Sequence, residues 1–168
     1  MNKQTFVLRP IPSDVADALR RRGGPVYVAD EHPGYPCRQC LQDAAVGDEL
    51  ILVSYDPFVT DSEYRSASPI FLHRTTCQPP ADARELPEQL TGRQLSVRSF
   101  DIAEIMIDAA VISGSDLRET VLSFFANPNS HRIHVHNATR GCWAVAVDRA
   151  STGDTSASKA ERFESISA

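Results

Sequence analysis

Residues 34–77 constrain this chain more than any other stretch. They place three of its four cysteines and one of its five histidines in two short clusters, Cys37-Arg38-Gln39-Cys40 and His73-Arg74-Thr75-Thr76-Cys77. Between them lies the strongly apolar run Leu50-Ile51-Leu52-Val53. A run that is apolar on both faces reads as a central strand. Val46-Gly47-Asp48 turns the chain into it, and Asp56-Pro57 ends it, because proline cannot donate to a ladder and restricts the residue before it. Pro69-Ile70-Phe71-Leu72-His73 reads as a second, shorter strand. The two clusters therefore fall close to strand ends, where a fold can bring them together.

Cys37 and Cys40 have the spacing that lets one turn present two thiolates to a tetrahedral ion, and His73 with Cys77 can supply the other pair. The spacing thus points to a Cys3His site for zinc, which would tie two strand ends together and add metal-binding free energy to folding. Two other chemistries stay open. Cysteine is among the most buried residue types in its own right, so the thiols can be core residues. A C-x-x-C pair also suits thiol redox or nucleophilic chemistry, with Arg38 and Arg74 placed to favour a thiolate, although the pair does not open a helix after a strand as redox motifs do.

The chain around this stretch reads as one domain. Its 168 residues are enough to bury a core without staples, and 42% hydrophobic with 23% charged residues is a globular balance. Residues 4–9 read as a strand stopped by Pro10 and Pro12. Ser13 is expected to cap a short helix that ends at Arg20-Arg21-Arg22 and Gly23-Gly24, where cations suit the helix dipole. Residues 25–29 read as a brief strand, 61–68 as a surface loop, and 78–93 as an irregular connection with one helical turn near 85–90. Residues 95–100 alternate with period two. Residues 102–113 fit a helix or a strand, with strand favoured. Asp116 and Glu119 resemble a capping box opening a helix over 115–126. Residues 132–137 and 142–148 flank a glycine-containing loop and read as a hairpin. The expected fold is α+β: residues 1–149 as a single domain with two main helices on a largely antiparallel sheet, and 150–168 as a disordered Ser/Thr/Ala-rich tail.

A net charge of −5 spread along the chain argues against nucleic acid or an anionic membrane as a partner. No apolar run is long enough for a membrane span or a secretory signal, so the expected location is cytoplasmic. A second candidate metal cluster is His134, His136 and Cys142. The two histidines leave the same face of a strand, and whether Cys142 joins them depends on the hairpin register: a five-residue loop sets His136 opposite Cys142, and a four-residue loop sets it opposite Trp143. The alternative is that both histidines occupy the polar face of a sheet edge. No serine elbow, phosphate loop, dinucleotide fingerprint or H-E-x-x-H motif is present, so no catalytic residue is assigned.

Four groups of residues together resemble a known bacterial family of uncharacterised proteins, domain of unknown function 1203 (DUF1203). They are Pro36-Cys37-Arg38 with Cys40-Leu41; Ser54-Tyr55-Asp56-Pro57-Phe58; Pro69-Ile70-Phe71-Leu72-His73 with Cys77; and His134-Val135-His136-Asn137-Ala138 with Gly141-Cys142 and Arg149. The resemblance covers most of residues 4–149. Ser68 and Trp143 depart from it, standing where the family tends to have glycine and a smaller aromatic. It implies a shared fold unit and a shared set of residues, and no reaction. The chain thus reads as a binding or assembly module stabilised by zinc, or as a metal- or thiol-dependent enzyme of unknown substrate.

Overall fold

The computed structural model describes residues 5–151 and 154; the expected tail, 150–168, lies almost wholly outside the described residues. The strands divide between two antiparallel sheets. One has five strands in the order β1-β8-β7-β5-β6: β1 (Phe6–Arg9), β8 (Trp143–Arg149), β7 (Arg132–Asn137), β5 (Gln94–Phe100) and β6 (Met106–Ser113). The other has three, β2 (Val26–Val28), β3 (Glu49–Tyr55) and β4 (Ser68–His73), with β3 in the centre as its two-sided apolar run requires. Three α-helices complete the described chain: α1 (Ser13–Arg22), the single turn α2 (Glu88–Thr91), and α3 (Leu117–Ala126).

Two apolar cores follow from this division. Leu8, Val97, Val135, Val145 and Val147 of the larger sheet pack against Leu117, Val121 and Phe125 of α3. Ile11 and the α1 residues Ala16 and Leu19 pack against Ile51, Val53, Ile70 and Leu72 of the smaller sheet, together with Cys37, Cys40, Trp143 and Ala146. Strand β8 thus serves both cores. Its pairing to β7 shifts register between Val135 and His136, so that Val135 faces Val145 and His136 faces Trp143. Ala144 is the extra residue of this bulge, and it lets Trp143 join Ala146 on one face while Val145 and Val147 take the other. Ser68 and Trp143 meet here: Trp143 N donates to Ser68 Oγ at 2.9 Å, joining the two sheets.

Local expectations differ from the structure at the helix starts. Pro12, not Ser13, occupies the N-cap of α1, and the Ser13 hydroxyl instead accepts from Gln39 Nε2 at 3.2 Å. A 3-10 turn, Gly114–Asp116, leads into α3 and engages the Leu117 amide, so Asp116 makes no side-chain cap bond. Of the ambiguous 102–113 segment, Met106–Ser113 is a strand at the sheet edge, paired only to β5, which leaves Ile107 and Val111 exposed, while residues 102–105 form a turn before it. Among the described residues no helix is long and apolar enough to cross a membrane.

Candidate metal centre

Cys37 and Cys40 lie on a turn pinned at both ends by backbone bonds. Cys37 N donates to Gln42 O at 3.0 Å, Leu41 N donates to Cys37 O at 3.1 Å, and Leu41 takes a left-handed φ of 57° that reverses the chain. Arg38 N donates to Phe71 O at 3.0 Å, which sets the turn beside β4. His73 is the last residue of that strand, and Cys77 follows after a bend. The interval of 32 residues between the cysteine pair and His73 is therefore closed by strand pairing, with β3 and β4 side by side.

The four ligand atoms of Cys37, Cys40, His73 and Cys77 all lie within 4.8 Å of one another. Cys37 Sγ is 3.7 Å from Cys77 Sγ, and Cys40 Sγ is 3.6 Å from His73 Nδ1. Zinc bonds of about 2.3 Å to sulfur and about 2.0 Å to nitrogen, set at tetrahedral angles, give ligand separations of about 3.8 Å and about 3.5 Å. These two edges match those of a tetrahedral site, and the cluster is compatible with a metal ion. Cys37 and Cys40 are buried, while His73 and Cys77 are partly exposed, which leaves an entry path.

Charge around the cluster suits thiolates. Cys37 is held well below the usual thiol range by hydrogen bonding to Cys40 and then Cys77, against its burial. The same pairing pushes Cys40 up. His73 is raised to about 10 by hydrogen bonding to Cys37 and then Cys77. Without a metal the shifts favour charge on Cys37 and a proton on His73, and a metal would displace the shared protons. His73 N also donates to Cys37 Sγ at 3.5 Å.

Two residues outside the motifs complete the surroundings. Arg20, in the last turn of α1, reaches Cys77 Sγ with Nη2 at 3.6 Å, Gln39 Oε1 with the same nitrogen at 2.6 Å, and His73 O with Nε at 2.9 Å. Asp48 Oδ2 lies 3.6 Å from His73 Nε2, the ring nitrogen other than the one near Cys40 Sγ. Metal-bound histidines commonly hold such a carboxylate partner, which fixes the tautomer and raises ligand basicity. The Arg20-Arg21-Arg22 run does end a helix as expected, but nothing in its sequence marks Arg20 as the one that turns to the cysteines.

His134, His136 and Cys142 do not form such a cluster. Residues 138–141 are the four-residue loop, closed by Asn137 N donating to Cys142 O at 2.9 Å, and His136 stands opposite Trp143. Cys142 Sγ lies 3.8 Å from Arg140 O. The two histidines are buried, not set on a polar sheet edge. His134 packs between Phe58 and Phe100, each with ring centroids at 5.0 Å, and burial pushes it down to about 3. Burial likewise pushes His136 down to about 4, and its Nδ1 pairs with Gly141 O at 2.9 Å. Both are neutral imidazoles at physiological pH.

Two antiparallel sheets, with a Cys3His cluster beside the end of β4 in the smaller one, define a small α+β domain with a candidate metal centre. The chain belongs to the family described as "Protein of unknown function (DUF1203)", whose model matches residues 34–149. That span contains all four cluster residues. No curated protein and no solved structure matches the chain.

Proposed function

We propose that Cys37, Cys40, His73 and Cys77 bind zinc as a closed structural site, and that the domain it stabilises works as a binding or assembly module. The observation that carries this reading is the mutual approach of the four ligand atoms to within 4.8 Å. Four protein ligands fill a tetrahedral shell and leave no position for water or substrate, which is the pattern of structural rather than catalytic zinc. Softness supports the choice of ion, since three sulfurs and one imidazole nitrogen suit zinc and disfavour magnesium or calcium. All four cysteines are free, which suits a reducing compartment such as the cytoplasm.

Metal analysis of untagged, purified protein tests the reading. About one equivalent of zinc is expected, with loss on substituting Cys40→Ser. Less than about a tenth of an equivalent sinks it, because structural sites bind tightly enough to survive purification. A thiol-dependent enzyme is the second reading, favoured by the partly exposed Cys77 beside Arg20 and His73. It requires fast alkylation of one cysteine at pH 6 in metal-free protein. Slow modification of all four excludes it.

A further inference from the structure

A cavity of about 590 Å³ opens between the three-stranded sheet and the β7–β8 loop, well within the range that takes a small molecule. One wall is aromatic. The Tyr27 and Tyr35 rings each stand 5.5 Å from that of Phe71, the first edge-on and the second tilted. Thr139 and Arg140, both exposed, form part of the lining contributed by the hairpin loop.

The lining also contains Arg38, which is 2% exposed. Among the described residues its guanidinium makes one hydrogen bond, from Nη1 to Gln89 Oε1 at 2.8 Å. Gln89 is neutral, and its amide is held in place by Nε2 donating to Cys37 O at 3.3 Å. Nε of Arg38 is buried with no partner. The nearby carboxylate, Asp43, is already engaged by Arg93 in a two-pronged pair at 2.6 Å and 2.9 Å. A buried cation costs several kcal/mol unless an anion compensates it, and arginine does not discharge near neutral pH. The fold thus buries one guanidinium with no anion hydrogen-bonded to it among the described residues, Asp43 and Cys37 acting only at longer range, and opens a cavity beside it.

We infer that this cavity binds a small monocarboxylate with a flat apolar body, its carboxylate on Arg38 and its body against Tyr27, Tyr35 and Phe71. Guanidinium and carboxylate match in shape and charge, and the aromatic wall suits a flat body. The lining favours one negative charge over two. Arg93 is neutralised by Asp43, Glu31 also lines the cavity, and the fully unpaired cations are Arg38 inside and exposed Arg140. The site shares no ligand atom with the Cys3His cluster, but Arg38 lies on the turn between Cys37 and Cys40, so the two sites share that turn.

Titration of the full chain, followed by 1H–15N NMR including arginine Nε–H signals, tests the inference. The probes are benzoate, phenylacetate, the neutral isostere benzamide and inorganic phosphate. At least one carboxylate is expected to saturate with shifts at Arg38, Phe71 and Thr139, and to bind at least about tenfold more tightly than benzamide, the scale of one charge-assisted bond. Arg38→Met should weaken it by a similar factor. Thr139→Trp, at an exposed position where the fold is not at stake, should do the same by obstructing the cavity. The inference is overturned if neither carboxylate binds, if benzamide or phosphate binds as well, if the shifts map elsewhere, or if Thr139→Trp leaves affinity unchanged.

Discussion

Asp48 Oδ2 lies 3.6 Å from His73 Nε2, while His73 Nδ1 faces Cys40. In the metal-bound protein proposed above, a negative charge there would favour the proton on Nε2 and leave Nδ1 free as a ligand. Asp48→Asn removes the charge yet keeps an oxygen for the Ala45 amide, which now donates to Asp48 at 2.9 Å. Zinc affinity should fall about 10- to 100-fold with the fold intact, measured by competition with a chromogenic chelator. Unchanged affinity would assign Asp48 to the turn alone. The four candidate ligands were legible in the sequence because their spacing is set by local geometry, two residues on a turn and two around a strand end. Asp48 and Arg20 were not, since each reaches the cluster only through pairing and packing across 25 or more positions of chain. Asp48 read as a turn residue and Arg20 as a helix-end cation, and both readings hold without exposing the second role.

The strands and both longer helices were readable from periodicity, including the two-sided apolar β3. The division into two sheets was not, because period-two alternation says which residues share a face and nothing about which strands pair. The same limit applies at the β7–β8 hairpin, where the bulge at Ala144 breaks the alternation that would have fixed the register. Its outcome makes β7 a carrier of two buried neutral histidines, with a consequence for pH. Burial lowers their protonation to about 3 for His134 and about 4 for His136, from an ordinary 6.5. Below pH 6.5 the unfolded chain therefore binds protons that the folded chain refuses, and stability falls as pH falls, by about 1.4 kcal/mol per pH unit for each histidine. Urea unfolding midpoints should be level above pH 7 and drop steadily toward pH 4.5. His134→Gln should remove about half of the histidine contribution, a slope change of about 1.4 kcal/mol per pH unit. Identical slopes for variant and parent would show that His134 is not the group responsible.

At the scale of the molecule, two cores share one strand. Val145 and Val147 of β8 belong with α3, while Trp143 and Ala146 belong with α1 and the smaller sheet. The candidate metal centre borders the second of these, where Cys37 and Cys40 are core residues and Cys77 packs against them. A metal ion there would link the 37–40 turn, the end of β4 and the segment around Cys77, none of which is held by the larger sheet's ladder. Its removal should therefore act unevenly. Hydrogen exchange on the zinc-loaded protein, before and after chelation, should show amides of residues 35–44, β4 and the last turn of α1 exchanging at least about tenfold faster, as a locally opened unit does. Val97, Val135 and Val145, inside the five-stranded sheet and covered by α3, should keep most of their protection. The contact from Trp143 N to Ser68 Oγ is the seam at which the two responses part. Uniform acceleration through both sheets would show that the cores unfold as one unit and that the metal stabilises the whole chain. No acceleration at all would remove the structural role assigned to the cluster.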